Sequence, residues 1–479
     1  MKIRKIELQN NSFFGNQVFD FSDSHGNVYD NVVLAGENGS GKTQLLNIIY
    51  DFCKLSLTGD VTSEIRIFSI VLSQEELRYV SEHVRENLKF VNPTGNFEIV
   101  QDFSAQSNTW NRIKVKYEKT EGDGSLSSKD LESSWFFNDV NRNILFRSVF
   151  STVGINYDPK VVKTVTALEV DEEMKESIRS GTDLATEIQQ LLVDIQSNDA
   201  MDLKIWVDEH RGEVPTDDVI DKRITRFKNA FATMFNNLNF YRISNDKDNK
   251  KVVFKKDNQE VEISALSSGE KQIVFRGAFL LRNQQSSTGC CILIDEPEIS
   301  LHPLWQDKVF DYYRDLFIDN HGKQTSQIIM ATHSQYVLKS ALNNKLNTLI
   351  LLLKSNSGKC EVSHMTVPQV LPKITSAELN YNAFGIASID YHIQLYGHLQ
   401  NKYSLNTILK CDKYIKKSPL YDCTIHRKKY SYTDDKGKKR SYQTLPTYIR
   451  NTIDHPDNIH SYNSDELRTS IEFLITLCK

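Results

Sequence analysis

Eight residues, Gly36-Glu37-Asn38-Gly39-Ser40-Gly41-Lys42-Thr43, carry the densest chemistry in the chain. Gly36, Gly39 and Gly41 let backbone N–H groups turn inward and cradle an anion. Asn38 and Ser40 sit within the same loop, Lys42 can reach the outer phosphates of a nucleotide, and the Thr43 hydroxyl suits Mg²⁺. An apolar run, Val32-Val33-Leu34-Ala35, leads in, and a helical pattern, Gln44 to Tyr50, leads out. Strand, glycine loop and helix is the context this loop needs. The helix N-terminus adds roughly half a positive charge behind the bound phosphates.

A second cluster closes the apolar run Ile292-Leu293-Ile294 with Asp295-Glu296-Pro297-Glu298. Held beside the glycine loop, Asp295 can bind Mg²⁺ through water, and Glu296 can orient and polarise an attacking water. Taken alone, the pair also fits two exposed carboxylates at a strand end. Two further stretches have the right look for a multi-part site. Leu266-Ser267-Ser268-Gly269-Glu270 opens a helical pattern, and Ala331-Thr332-His333-Ser334 ends the strand-like run 327–331.

These residues need a scaffold. Alternation at Ile3, Ile6, Leu8 and then Val18, Phe19, Phe21 predicts two short strands joined by residues 10–15. Phe13 and Phe14 lie in that connection, where either core packing or stacking on a base fits them. Between about 54 and 250 an insertion separates the glycine loop from the later motifs. It reads as a hairpin at 97–103 and 111–118 with a polar loop at 119–130, a strand at 145–157, and helices at 171–195 and about 217–236. The charged helix faces read as solvated. A strand pair at 252–263, a helix at 304–318 and a buried strand at 348–353 complete the pattern. Two domains are expected, 1–370 and 371–479.

In this order the four motifs resemble ABC-type ATPases of the SMC, RecF and OLD-like group, over roughly residues 1–365. The resemblance implies an α/β fold: a P-loop ATPase head with a helical insertion, plus a small, mainly α C-terminal domain. It also implies ATP and Mg²⁺ as cofactors. Gly36, Asn38, Gly39, Ser40, Gly41, Lys42 and Thr43 would hold ATP, with Thr43 and Asp295 on the metal. Glu296 would be the catalytic base and His333 would contact the γ-phosphate. Ser267 and Gly269 would close over the ATP of a second subunit, giving a homodimer or higher oligomer with ATP sandwiched between heads. Ser268 stands where the group has glycine. Gln101 is the candidate for the glutamine loop. No long coiled coil is inserted, and no TOPRIM nuclease pattern follows; Asp246-Lys247-Asp248 precedes the signature and does not qualify.

The 479 residues carry a net charge of −4, which excludes a polyanion binder acting through the whole surface. Seven cysteines without close metal-type pairs point to a reducing cytoplasm. No apolar stretch is long enough to span a membrane, and no leader is expected. Charge instead concentrates locally. Between Lys410 and Arg450 twelve Lys and Arg face four Asp, with tyrosines interleaved. That segment fits either a nucleic-acid contact or a solvated loop with a hairpin turn at 433–438. Helices are expected at 388–401, 442–453 and 464–477. Arg450 and His455 resemble the R-x4-H motif of HEPN ribonucleases, or else form an ordinary helix end before Pro456. Compact ATPases of this kind resemble components of bacterial anti-phage systems, in which they control a nuclease or toxin in a partner protein or in their own C-terminal domain. A DNA-repair ATPase and an assembly scaffold are the alternatives.

Overall fold

The computed structural model describes residues 1–55, 62–83, 94–104, 112–121, 125–131, 133, 145–154, 159–160, 162–172, 177–220, 223–246, 249–284, 288–319, 321–343, 347–356, 359–365, 368–433 and 439–479. The chain forms two units, Met1–His364 and Met365–Lys479. The division falls a few residues before position 371, because the last strand of the first unit ends at His364.

The first unit is built from β1 (Lys2–Asn11), β2 (Gly15–Asp20), β3 (Asn31–Ala35), β4 (Ile65–Val71), β5 (Asn96–Asp102), β6 (Ile113–Thr120), β7 (Leu126–Leu131), β8 (Ser148–Ser151), β9 (Ile178–Arg179), β10 (Leu238–Asp246), β11 (Asn249–Lys256), β12 (Gln259–Glu262), β13 (Cys291–Asp295), β14 (Gln327–Thr332), β15 (Thr348–Asn356) and β16 (Lys359–His364). Among the described residues these make three sheets. The central one has the order β16-β15-β3-β14-β13-β8-β9. Strands β3, β13 and β14 are buried at every residue, as continuous apolar runs in a parallel sheet must be. β3 runs parallel to β14 and β15, and β13 runs parallel to β14 and β8. Every motif that follows one of these strands therefore emerges at the same edge of the sheet.

The antiparallel sheet has the order β2-β1-β4-β5-β6-β7. β1 alternates buried Ile3, Ile6 and Leu8 with more exposed polar residues, so one face packs inward. The phosphate-loop helix, Lys42–Lys54, lies in one core with residues of both sheets, and Phe52 stacks on Phe68 of β4 with centroids 3.8 Å apart. The third sheet, β10-β11-β12, leads directly into the signature helix Ser268–Arg282.

The insertion thus contains strands as well as helices. Its long helix is Leu184–Glu209 rather than 171–195. The apolar stripe Leu184, Ile188, Leu191, Leu192 and Ile195 is buried as its spacing requires. The helix then runs on past that stripe with Met201, Ile205 and Val207 exposed, so periodicity gave no sign of its second half. The expected helix at 217–236 is observed as Asp217–Ile220 and Thr225–Met234; residues 221–222 lie outside the described residues. So do 122–124 of the expected loop, 155–157 of the expected strand, and 247–248.

The second unit has helices Ser376–Phe384, Ile389–Lys402, Ile408–Lys417, Leu445–Asp454 and Ser464–Cys478, with a hairpin of β17 (Arg427–Thr433) and β18 (Lys439–Thr444). It has its own core around Tyr391, Leu395, Leu399, Ile415, Ile449, Ile471 and Leu474. The turn of that hairpin, 434–438, lies outside the described residues.

Candidate nucleotide site

The glycine loop bridges the end of β3 and the helix Lys42–Lys54. Gly41 has φ 95°, which a side chain resists, and a Cβ there would lie 2.5 Å from the Phe13 ring. At Gly36 a Cβ would lie 2.1 Å from the Leu353 carbonyl oxygen. Both positions need glycine for closeness, and Gly41 for conformation as well. Lys42 Nζ donates to the carbonyl oxygens of Gly36 at 2.8 Å and Glu37 at 2.9 Å, so the ammonium is folded into its own loop. Burial pulls its pKa below the usual lysine value, against the fields of Glu296, Glu298 and Asp295. Ser40 Oγ is buried with no hydrogen-bond partner among the described residues.

The parallel register brings Asp295 to the loop. Thr43 Oγ1 donates to its two carboxylate oxygens at 3.1 and 2.9 Å. Burial, first of all, raises the Asp295 pKa, and the Thr43 bond opposes it. Glu296, next in sequence, holds φ at 45°, a left-handed conformation that costs a non-glycine residue energy. Two bonds fix it there: its N–H donates to Ala331 O at 2.9 Å, and its carbonyl accepts from Arg276 Nη1 at 3.0 Å. The result is a cleft of about 280 Å³ lined by Phe13, Asn38, Gly39, Gly41, Lys42, Thr43, Gln44 and Glu296. Phe14 is buried in the core while Phe13 is 43% exposed at the cleft.

His333 follows β14 at the same sheet edge. Its Nδ1 lies 3.5 Å from Glu296 Oε1 and 3.4 Å from Glu298 Oε1. Glu298 is 3% exposed, and its Oε1 accepts from Thr332 Oγ1 at 2.7 Å and from His333 N at 2.8 Å. Sequence reasoning passed over Glu298, although it stands two residues beyond Glu296. It also passed over Arg276, which is fully buried. From the signature helix Arg276 donates to Ser151 Oγ and O, to Asp295 O and to Glu296 O. An arginine inside an apolar helical pattern was the available signal, since a buried guanidinium must be fully bonded.

Ser267 is the N-cap of the signature helix. A capping box joins it to Glu270, whose N–H donates to Ser267 Oγ at 3.3 Å and whose Oε2 accepts from Ser267 N at 2.9 Å. Ser267 and Ser268 are exposed. Gly269 is buried, and a Cβ there would lie 2.8 Å from Ser300 O. None of the three lines the cleft of its own chain. Gln101 is not at the cleft either. It lies in β5 of the antiparallel sheet, buried with both amide atoms unpartnered. The residue ending the parallel strand beside β13 is Ser151, and Arg276 holds it.

The Arg450/His455 pair is not assembled. Arg450 donates to Asn451 Oδ1 at 2.9 Å and pairs with Asp454 at 2.5 Å. His455 is exposed just past the helix Leu445–Asp454. The spacing is that of a helix turn closed by its own i,i+4 ion pair.

Solved structures similar to this chain include an SMC head bound to the C-winged helix domain of ScpA (15% identity, TM-score 0.40, 76% of this chain and 97% of that one). The SMC head domain from Thermotoga maritima is another (12%, 0.37, 77% and 100%). A third is an SMC head with an extended coiled coil, bound to the C-terminal domain of ScpA derived from Pyrococcus furiosus (15%, 0.36, 76% and 96%). No curated protein matches the chain. The family model described as "AAA domain, putative AbiEii toxin, Type IV TA system" matches residues 32–339, from β3 through the motif at His333 and over more than half the sequence, and the chain belongs to that family.

Proposed function

We propose that two copies of the chain close head to tail over two ATP molecules, hydrolyse them with Mg²⁺, and through that cycle control a nuclease or toxin partner in bacterial anti-phage defence. One observation carries the first part. The cleft gathers Lys42, Thr43, Asp295 and Glu296, with His333 against Glu296, while Ser267 and Gly269 of the same chain lie outside its lining. A second subunit can supply them. Ser267 is exposed at the start of a helix, whose N-terminus suits an anion, and its hydroxyl, which here donates to Glu270 Oε2 at 2.9 Å, would turn to a phosphate oxygen.

The residues present fit the nucleotide and the metal. The unpartnered Ser40 hydroxyl and the glycine cradle suit phosphate oxygens, and the Thr43–Asp295 oxygen pair suits a hard cation. Bound Mg²⁺ would neutralise charge developing on the phosphates. Lys42 would leave the carbonyls of Gly36 and Glu37 for the outer phosphates. Glu296 would orient the attacking water and accept its proton, and His333 would face the γ-phosphate from beyond Glu296. The exposed Phe13 ring stands at the cleft where a base could stack. The description of the family, which names a toxin of a toxin–antitoxin system, supports the defence role.

Glu296→Gln should bind ATP yet release phosphate about 10²–10⁴-fold more slowly, and should accumulate a dimer by light scattering. Hydrolysis at the wild-type rate would overturn the assignment of the base.

A further inference from the structure

The second unit carries sixteen Lys and Arg against eleven Asp and Glu, while residues 1–364 carry 42 against 51. The two units therefore differ in sign, +5 against −9. The positive charge of the second unit is arranged rather than scattered. In the helix Ile408–Lys417, the exposed Lys410, Lys413, Lys416 and Lys417 fall within one arc of about 120° at 100° per residue. None of the four has an ion-pair partner among the described residues. Some other cations of the chain are matched: Arg314 meets Asp311 and Asp315, and Lys339 meets Asp307.

Folding alone does not account for this face. Lys410–Lys413, Lys413–Lys416 and Lys413–Lys417 stand at the i,i+3 and i,i+4 spacings where like charges repel. The helix dipole favours Lys416 and Lys417 in the last turn but disfavours Lys410 in the first, where no acid is present. The only acid of the helix, Asp412, is buried and fully engaged. It accepts from the N–H groups of Gln443 and Thr444 and from Thr444 Oγ1, tying the helix to β18. The apolar side, Cys411 and Ile415, is packed in the core, and the one exposed leucine of the helix, Leu409, is too little apolar surface for a lipid face. Beside the lysines stands an aromatic pair. Tyr414 is four residues after Lys410 and three before Lys417, and its ring lies 4.6 Å from that of Tyr403, which is 38% exposed.

We infer that this face binds a single-stranded polynucleotide, with the four lysines on its phosphates and the Tyr403–Tyr414 pair offering a ring to a base. The reading is independent of the ATPase site, and its test needs no nucleotide. The full-length chain is titrated by fluorescence anisotropy with labelled oligouridylate and with labelled oligothymidylate, from low to high salt. A slope of log affinity against log salt of about −0.7 per contact is expected for a single strand. Replacing the four lysines by glutamine should make it shallower by about 3, and replacing them by arginine should preserve it. Tyr403→Ala should weaken binding at unchanged slope. Equal binding of both polymers assigns the site to backbone shared by RNA and DNA; a preference identifies which one it serves. Failure of the wild-type chain to bind either polymer, or an unchanged slope in the glutamine variant, overturns the inference. Labelled polyglutamate binding as tightly as the oligonucleotides would assign the face to an acidic protein and overturn it equally.

Discussion

At the scale of single residues, the site depends on buried polar groups that hold its loops in place. Glu298 is the clearest. Its Oε1 holds the Thr332 hydroxyl and the His333 N–H, and thereby the loop that carries the imidazole. Glu298→Ala leaves two donors without an acceptor, a loss of about 2–6 kcal/mol at 1–3 for each buried group. Thermal unfolding should show that loss together with slower ATP hydrolysis. Glu298→Gln keeps an acceptor oxygen and should recover most of both. His392 makes a different prediction in the second unit. Burial lowers its pKa to about 3, with Nε2 bonded to Ser470 Oγ at 2.9 Å. The unfolded chain takes up a proton below about pH 6.5 while the folded unit stays neutral, so stability falls as pH falls from there toward 3, by about 1.4 kcal/mol per unit. Hydrogen-exchange protection factors of the helix Ile389–Lys402 in the full-length chain, referred to the intrinsic rate at each pH, should therefore fall on the acid side of about pH 6.5. His392→Leu should remove that pH dependence.

At the scale of elements, the parallel sheet does the positioning, and its parts were unequally legible in the sequence. β3, β13 and β14 are apolar runs punctuated by Gly36, Asp295 and Thr332, so both the strands and the chemistry at their ends could be read directly. What could not be read was how elements distant in sequence meet. Nothing around Gln101 marks it as part of an antiparallel sheet away from the cleft, because strand alternation does not say which sheet a strand joins. Arg450 and His455 match a short pattern, but only the fold gives Arg450 to Asp454. Arg276 is the strongest case. It lies in a helical pattern and acts on residues 125 positions away in sequence. Its guanidinium ties the signature helix to the ends of β8 and β13 and to the strained backbone of Glu296. Arg276→Met should cost more than a single hydrogen bond to a charged group, about 1.5–3 kcal/mol, since four such bonds are lost and buried carbonyls are left bare. It should also slow hydrolysis by more than the stability loss explains, because Glu296 loses its anchor. Denaturant unfolding and steady-state phosphate release on the same samples separate the two effects.

At the scale of the whole molecule, the proposed head-to-tail pair would have each chain hold half of two different sites. Lys42, Thr43, Asp295 and Glu296 converge on the cleft, and Ser267 caps a helix elsewhere on the surface. A two-fold pair is the simplest assembly that completes both sites at once, since the same patch then serves each partner. In the proposed pair Arg276 would offer a route for communication, because the helix that would touch the partner's nucleotide is the one that bonds the carbonyls of Asp295 and Glu296. The decisive measurement mixes two inactive proteins, Lys42→Ala and Ser267→Arg. In a mixed dimer one composite site keeps both an intact phosphate loop and an intact signature. Steady-state phosphate release should return to a fraction of the wild-type rate in the mixture while each variant alone stays inactive. Mixed dimers that form, as confirmed by mass, and yet recover no activity would contradict a signature that works across the interface.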